Sequence, residues 1–185
     1  MLVSFTGAQS TGKTTLLNKC KEIYGERFHF VDEVTRLVKR NYDVPINEQG
    51  TDLTQLLIIN AHIENAFKKY DENKQGVILD RCIVDGIVYT GYLALEGKVS
   101  KWVFDYSRSV FDILMPKMDK IFYTWPYDVE LVDDGERSVD KQFRERIIDV
   151  FNVLFETQRD VFTNKLIILQ GTVEQRMEQI KIALC

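Results

Sequence analysis

Long apolar runs are missing from this 185-residue chain: no segment reaches the 18 or so residues a bilayer-spanning helix needs, and the start Met1-Leu2-Val3-Ser4-Phe5 is too short for a secretory leader. Membrane residence by a spanning segment is therefore not expected. Proline is scarce, with three residues, and repeats, low-complexity tracts and linker-like stretches are absent, so residues 1–185 are expected to form one domain with a proper core. Cysteine is equally thin. Cys20, Cys82 and Cys185 are an odd number without metal-ligand spacing or a Cys-x-x-Cys pair, which argues against a disulfide framework or a zinc ribbon and reads as reduced thiols of a cytoplasmic protein. His29 and His62 are the whole histidine complement, and neither has partner spacing for a metal or a catalytic triad. Basic excess is lacking too: 24 Lys and Arg against 28 Asp and Glu give a net charge of -4, so no global field draws the chain to nucleic acid or anionic lipid. A local basic groove remains open.

What is present is concentrated near the start. Gly7-Ala8-Gln9-Ser10-Thr11-Gly12-Lys13-Thr14 satisfies G-x-x-x-x-G-K-[ST] at every fixed position, with the β-prone Leu2-Val3-Ser4-Phe5-Thr6 before it and a helix-compatible run from Thr15 after it. Gly7 and Gly12 allow backbone angles that turn successive N–H groups toward phosphate oxygens at the positive end of the next helix. Residues Gly7 to Thr15 are thus the candidate nucleotide-binding loop, with Lys13 for the β- and γ-phosphates and the Thr14 hydroxyl for Mg²⁺.

Beyond the loop the pattern predicts alternating helices and strands. Helix is expected from about Gly12 to Tyr24, strand over Phe28–Val31, and helix over Val34–Arg40. A long amphipathic helix over about Thr51–Tyr70 carries Leu53, Leu56, Leu57, Ile63, Phe67 and Tyr70 at three- and four-residue steps, with Asn60, His62 and Glu64 as polar insertions on a solvated face or in a pocket. Val77–Leu79 is the third strand, Ile83–Leu95 a helix interrupted by Gly86 and Gly91, and Ser100–Leu114 a further helix. Asp119–Thr124 is the fourth strand, followed by an acidic loop over Tyr127–Asp140. A helix from Phe143 to about Val161, a fifth strand over Lys165–Leu169 and a helix over Val173–Leu184, capped by Thr172, complete the chain. This order predicts an α/β, three-layer P-loop NTPase fold with a five-stranded parallel sheet and the first strand in its middle.

In such a sheet ligands gather at the carboxyl ends of the strands, where Asp32, Glu33 and Asp80 fall. Asp80, after Val77-Ile78-Leu79, has the arrangement of a metal-binding acid; an N-cap role is the plain alternative. Glu33, or Asp32, is positioned to take a proton from an acceptor hydroxyl, and Arg36 and Arg81 to face that acceptor. Arg137, in Asp133-Asp134-Gly135-Glu136-Arg137-Ser138, is a cation on a Gly-containing loop of about residues 126–140 that reads as a lid over the transferring phosphoryl group. Cys82 beside Arg81 reads as a packed thiol, and Tyr89, Tyr92, Trp102 and Phe104 as core aromatics that also lie where a base could stack.

Taken in order, the phosphate loop, Asp32-Glu33, Leu79-Asp80-Arg81 and Val132-Asp133-Asp134-Gly135-Glu136-Arg137-Ser138 resemble the NadR-like P-loop kinases, related to deoxynucleoside and thymidylate kinases. That resemblance, which covers nearly the whole chain, implies ATP with Mg²⁺ as donor and a hydroxyl on a nucleoside, nucleotide or related small molecule as acceptor, in an enzyme that can homodimerise. Because Met1 directly precedes the first strand, coupling to the adenylyltransferase activity of NadR is not expected. Small chains of this pattern also resemble phage kinases acting on hydroxymethylated bases in DNA. A regulatory NTPase switch is a further alternative, although the guanine-reading Asn-Lys-x-Asp is absent from Thr124-Trp125-Pro126-Tyr127-Asp128 and an AAA-type motor calls for a C-terminal helical lid for which the chain is short.

Overall fold

The computed structural model of the chain describes residues 1–128 and 141–184. Five strands, β1 (Leu2–Thr6), β2 (Phe28–Val31), β3 (Gly76–Asp80), β4 (Lys120–Thr124) and β5 (Leu166–Leu169), form one all-parallel sheet in the order β2-β3-β1-β4-β5. The expected α/β fold with its five parallel strands is the fold observed, and β1 is central. The helices are α1 (Lys13–Tyr24), α2 (Val34–Tyr42), α3 (Asp52–Phe67), α4 (Ile83–Leu95), α5 (Lys101–Leu114), α6 (Lys141–Thr157), the single turn α7 (Arg159–Phe162) and α8 (Val173–Leu184).

The two-residue side-chain period of the strands divides the core in two. Val3, Phe5, Ile78 and Phe122 pack with Leu16, Leu17 and Cys20 of α1 and Ile180 and Leu184 of α8. Val77, Leu79, Ile121 and Tyr123 face the other way, onto Val84 and Val88 of α4, Val103 and Phe111 of α5, and Ile147 and Phe151 of α6. With both faces covered, each strand must be apolar at successive positions, which is why these segments read as short continuous runs. Among the described residues no helix is long and apolar enough to cross a membrane.

Three local readings are corrected. Helix α4 is continuous through Gly86 and Gly91; a Cβ at Gly86 would lie 3.3 Å from His62 Cδ2, and one at Gly91 3.1 Å from a Phe104 ring carbon, so these glycines serve close approach of neighbouring elements. The helix expected from Phe143 to Val161 stops at Thr157 and resumes as α7. In α3 the inward face differs from the one the apolar spacing picks out. Leu53 and Phe67 are more than half exposed, whereas Thr54, Gln55, Ile58, Ile59 and His62 are buried. That face carries polar groups because it meets a polar cavity beside α4.

Candidate active site

The loop between β1 and α1 takes the bends its glycines allow. Gly7 has φ +136°, Gly12 has φ +85° as the N-cap of α1, and Ser10 adopts a left-handed φ of +54°. Residues Gly7 to Thr11 and Lys13 are buried, Gly12 and Thr14 partly so, and Thr15 faces solvent. The Lys13 ammonium donates to the carbonyls of Gly7 (2.9 Å) and Ala8 (2.5 Å) and to Thr11 Oγ1 (3.3 Å). Burial, with Arg81 nearby, lowers Lys13 to about 7. A polyphosphate beside it would reverse that cost. Thr11 Oγ1 also meets Thr124 Oγ1 at 2.5 Å, and Thr124 Oγ1 donates to the Thr6 carbonyl, tying the loop to the end of β4.

Parallel register delivers the acids. Pairing of Phe5 with Asp80 and of Val31 with Leu79 brings Asp80, Asp32 and Glu33 to the same edge of the sheet as the loop. Thr14, Asp32, Glu33, Arg36 and Asp80 line one cleft of about 250 Å³ between α1 and α2. Asp80 is the last residue of β3, and its Oδ1 is buried without a hydrogen-bond partner among the described residues. Burial, then the Glu33 charge, raises Asp80 to about 6. The two adjacent acids diverge: Asp32 is exposed and paired with Lys21 at 2.9 Å, while Glu33 turns inward.

Glu33 is clamped by two guanidinium groups. Arg81 Nε donates to Glu33 Oε1 at 2.7 Å and Arg36 Nε to Oε2 at 2.9 Å. Burial pushes Glu33 up, but Arg81, aided by Lys13 and Arg36, prevails and brings it to about 2. Arg81, at a left-handed φ of +71°, is held less as a free cation than as a junction. Its Nη1 donates to the Gly7 carbonyl (3.1 Å) and Asp85 Oδ1 (2.7 Å), and its guanidinium lies over the Tyr89 ring. The Cys82 thiol is buried and pushed up to about 12, which agrees with the packed-thiol reading.

Several residues of the site escaped sequence reasoning. Asp85 is buried and accepts from Thr6 Oγ1 (2.7 Å), the Cys82 amide (3.2 Å) and Arg81, linking α4 to the phosphate loop. Its spacing of four from Arg81 was the available signal. Arg176 of α8, 2% exposed, donates to the carbonyls of Gly171, Thr11 and Trp125 and to Asp128 Oδ2, so one side chain fastens the phosphate loop to the turns after β4 and β5. Nothing local announces this role. Arg137, with Asp133, Asp134 and the rest of 129–140, lies outside the described residues.

The five-stranded parallel sheet and the glycine loop after its central strand define a P-loop architecture. An AAA domain family model matches residues 2–176, and the chain belongs to that family of P-loop domains. Among solved structures, the fold is similar to deoxyadenosine kinase from M. mycoides, solved with products dCMP and dCDP, at TM-score 0.72 and 13% identity over 100% of this chain and 98% of that one. NadR in complex with NR superposes at TM-score 0.70 and 20% identity over 99% of this chain, which spans 50% of the NadR chain. Thymidylate kinase from Candida albicans gives TM-score 0.65 and 18% identity over 99% and 90% of the two chains. No curated protein matches significantly. At these identities the likeness is one of fold, and at that level it agrees with the NadR-like resemblance read from the motifs.

Proposed function

We propose that the chain, acting as one kinase domain, is an ATP-dependent phosphotransferase that moves the γ-phosphoryl group to a hydroxyl of a nucleoside, nucleotide or related small molecule. The observation that carries this reading is the convergence of Lys13, Thr14, Glu33 and Asp80, from three separate segments, on one edge of the sheet, with a single cleft joining Thr14, Glu33 and Asp80. Gly7 to Thr15 hold the triphosphate through backbone N–H groups and the Lys13 ammonium. The Thr14 hydroxyl and the buried Asp80 Oδ1, which has no hydrogen-bond partner among the described residues, are suitable donors for Mg²⁺, whose contribution when bound would be to neutralise charge on the phosphate oxygens.

Glu33 is ionised throughout the neutral range and accepts a hydrogen bond from the acceptor hydroxyl. As the acceptor oxygen bonds to the γ-phosphorus and the bond to the ADP oxygen breaks, the hydroxyl proton passes to Glu33 and then to solvent. A loose transition state asks little of the base until late, so a carboxylate held near 2 suffices to orient the nucleophile. Arg81 and Arg36 fix the Glu33 carboxylate, and Asp32, on the solvent side, borders the entrance.

The test is ADP release measured with a panel of nucleosides, nucleotides and hydroxymethylated DNA. Stimulation by a nucleoside or nucleotide supports the proposal; stimulation by DNA alone assigns the modified-base reaction. Slow hydrolysis unchanged by every acceptor overturns the kinase reading in favour of an NTPase switch.

A further inference from the structure

The phosphate loop carries one side chain to which phosphoryl transfer, as described above, gives no task. Gln9 is 4% exposed, and its Nε2 is buried with no hydrogen-bond partner among the described residues. Buried polar atoms are almost always paired, so a buried N–H₂ group on an anion-binding turn calls for an acceptor from outside the protein.

The other end of the same amide is fixed. Gln9 Oε1 accepts from the Tyr89 hydroxyl at 3.2 Å. That hydroxyl also interacts with Arg81, whose guanidinium lies over the Tyr89 ring. A guanidinium has only hydrogens to offer, so the phenol's own hydrogen is left for Gln9. Burial raises Tyr89 above its ordinary value, and the hydroxyl keeps that hydrogen at neutral pH. The orientation of the amide follows from this chain of contacts: its carbonyl is turned to Tyr89, and its N–H₂ away from it.

The chain also distinguishes among the phosphates. Tyr89 and Arg81 line a cavity together with Glu33, so the Gln9 side chain lies on the face of the loop turned toward that acid. The γ-phosphoryl group must face the same way to be transferred, whereas the backbone N–H groups of the loop cradle the phosphates behind it.

We propose, on the kinase reading above, that Gln9 is a further catalytic residue: its side-chain N–H₂ donates to an oxygen of the γ-phosphoryl group while Tyr89 holds its carbonyl. The loop then selects a nucleoside triphosphate over a diphosphate through a side chain, in addition to the backbone amides that bind both. Lys13 now donates to the Ala8 carbonyl, the oxygen of the peptide group that joins Ala8 to Gln9. A phosphate that draws the ammonium off this carbonyl loosens the same peptide and lets the amide turn to the incoming group. Because Arg81 joins Tyr89 to Glu33, the donor's terminal phosphoryl group and the acceptor acid are aligned through one connected set of side chains.

The experiment titrates ATP and ADP, each with Mg²⁺ and without any acceptor, into wild type, Gln9→Met and Tyr89→Phe, and compares the two dissociation constants. Methionine keeps the length of glutamine without a donor. Gln9→Met should weaken ATP about tenfold or more and leave ADP within about twofold, because only ATP carries the γ-phosphate. Tyr89→Phe, which frees the amide to turn over, should weaken ATP about threefold, again without loss of ADP. Unchanged ATP affinity in Gln9→Met overturns the inference, and so do equal losses for the two nucleotides, the result of general damage to the loop. If Gln9→Met does not fold, Tyr89→Phe decides, and an unchanged ratio of the two constants overturns the inference. Wild type that binds neither nucleotide overturns this inference and the kinase reading together; otherwise acceptor-stimulated ADP release decides the kinase reading separately.

Discussion

Glu33 and Asp80 share one edge of the sheet, yet their surroundings push them in opposite directions. Glu33 is held near 2 by Arg81 and Arg36, so Glu33→Gln should lower turnover by a hundredfold or more while leaving ATP affinity nearly unchanged, as comparison of kcat with nucleotide Kd will reveal. Equal losses in both would shift the proton-accepting role elsewhere. Asp80 is raised to about 6 from its ordinary 3.8, so its folded form binds a proton more readily than the unfolded chain does. Stability from that difference is complete below pH 3.8 and is lost as pH rises through 6. Asp80→Asn should therefore melt higher than wild type above pH 7 without nucleotide or metal, by on the order of 2 kcal/mol or several degrees. The gap should shrink toward pH 4.5, and melting curves across that range are the check. A constant gap would mean that the carboxylate is not strained by burial.

The turn from β1 into α1 is an element whose geometry depends on one hydrogen. Gly7 combines φ +136° with a close neighbour: a Cβ there would stand 2.7 Å from Thr124 Oγ1 and 3.3 Å from the Thr124 carbonyl. Gly7→Ala should cost roughly 1 to 3 kcal/mol in backbone strain and weaken ATP binding more than tenfold, measured by thermal melting and nucleotide titration. Nucleotide affinity equal to wild type would show that the loop does not hold phosphates in this form. The same turn explains why the motif was legible from spelling alone. Its requirements are local: two glycines, a lysine and a helix N-terminus within eight residues. Helix α3 is the opposite case, because its buried Thr54, Gln55 and His62 look like a solvated stripe until α4 is seen packed against them.

At the scale of the whole molecule, Arg176 joins segments more than 150 residues apart. Removing it from a 2% exposed site takes a donor from the Thr11 and Trp125 carbonyls and the cationic partner from Asp128, whose Oδ2 keeps the Gly171 amide. Arg176→Met should destabilise the protein by roughly 3 kcal/mol. It should also raise the KM of ATP several-fold without altering that of the acceptor, because the segments it fastens lie on the phosphate-loop side. A rise confined to the acceptor would contradict that division of the active edge into a donor half and an acceptor half.

The amino-acid order by itself determined the parallel α/β sheet, the phosphate loop and the strand-end acids, since each follows from short-range periodicity and from what a strand, a turn and a helix start require of neighbouring residues. Only the tertiary structure decided that Glu33 and not Asp32 turns inward, that Arg81 is a junction through Asp85, that His62 faces a cavity with no hydrogen-bond partner among the described residues, and that Arg176 holds the loop. These depend on which side chains distant segments bring within about 3 Å of one another, and hydrogen bonding at that range is set by packing across the sheet, to which one-dimensional spacing is blind.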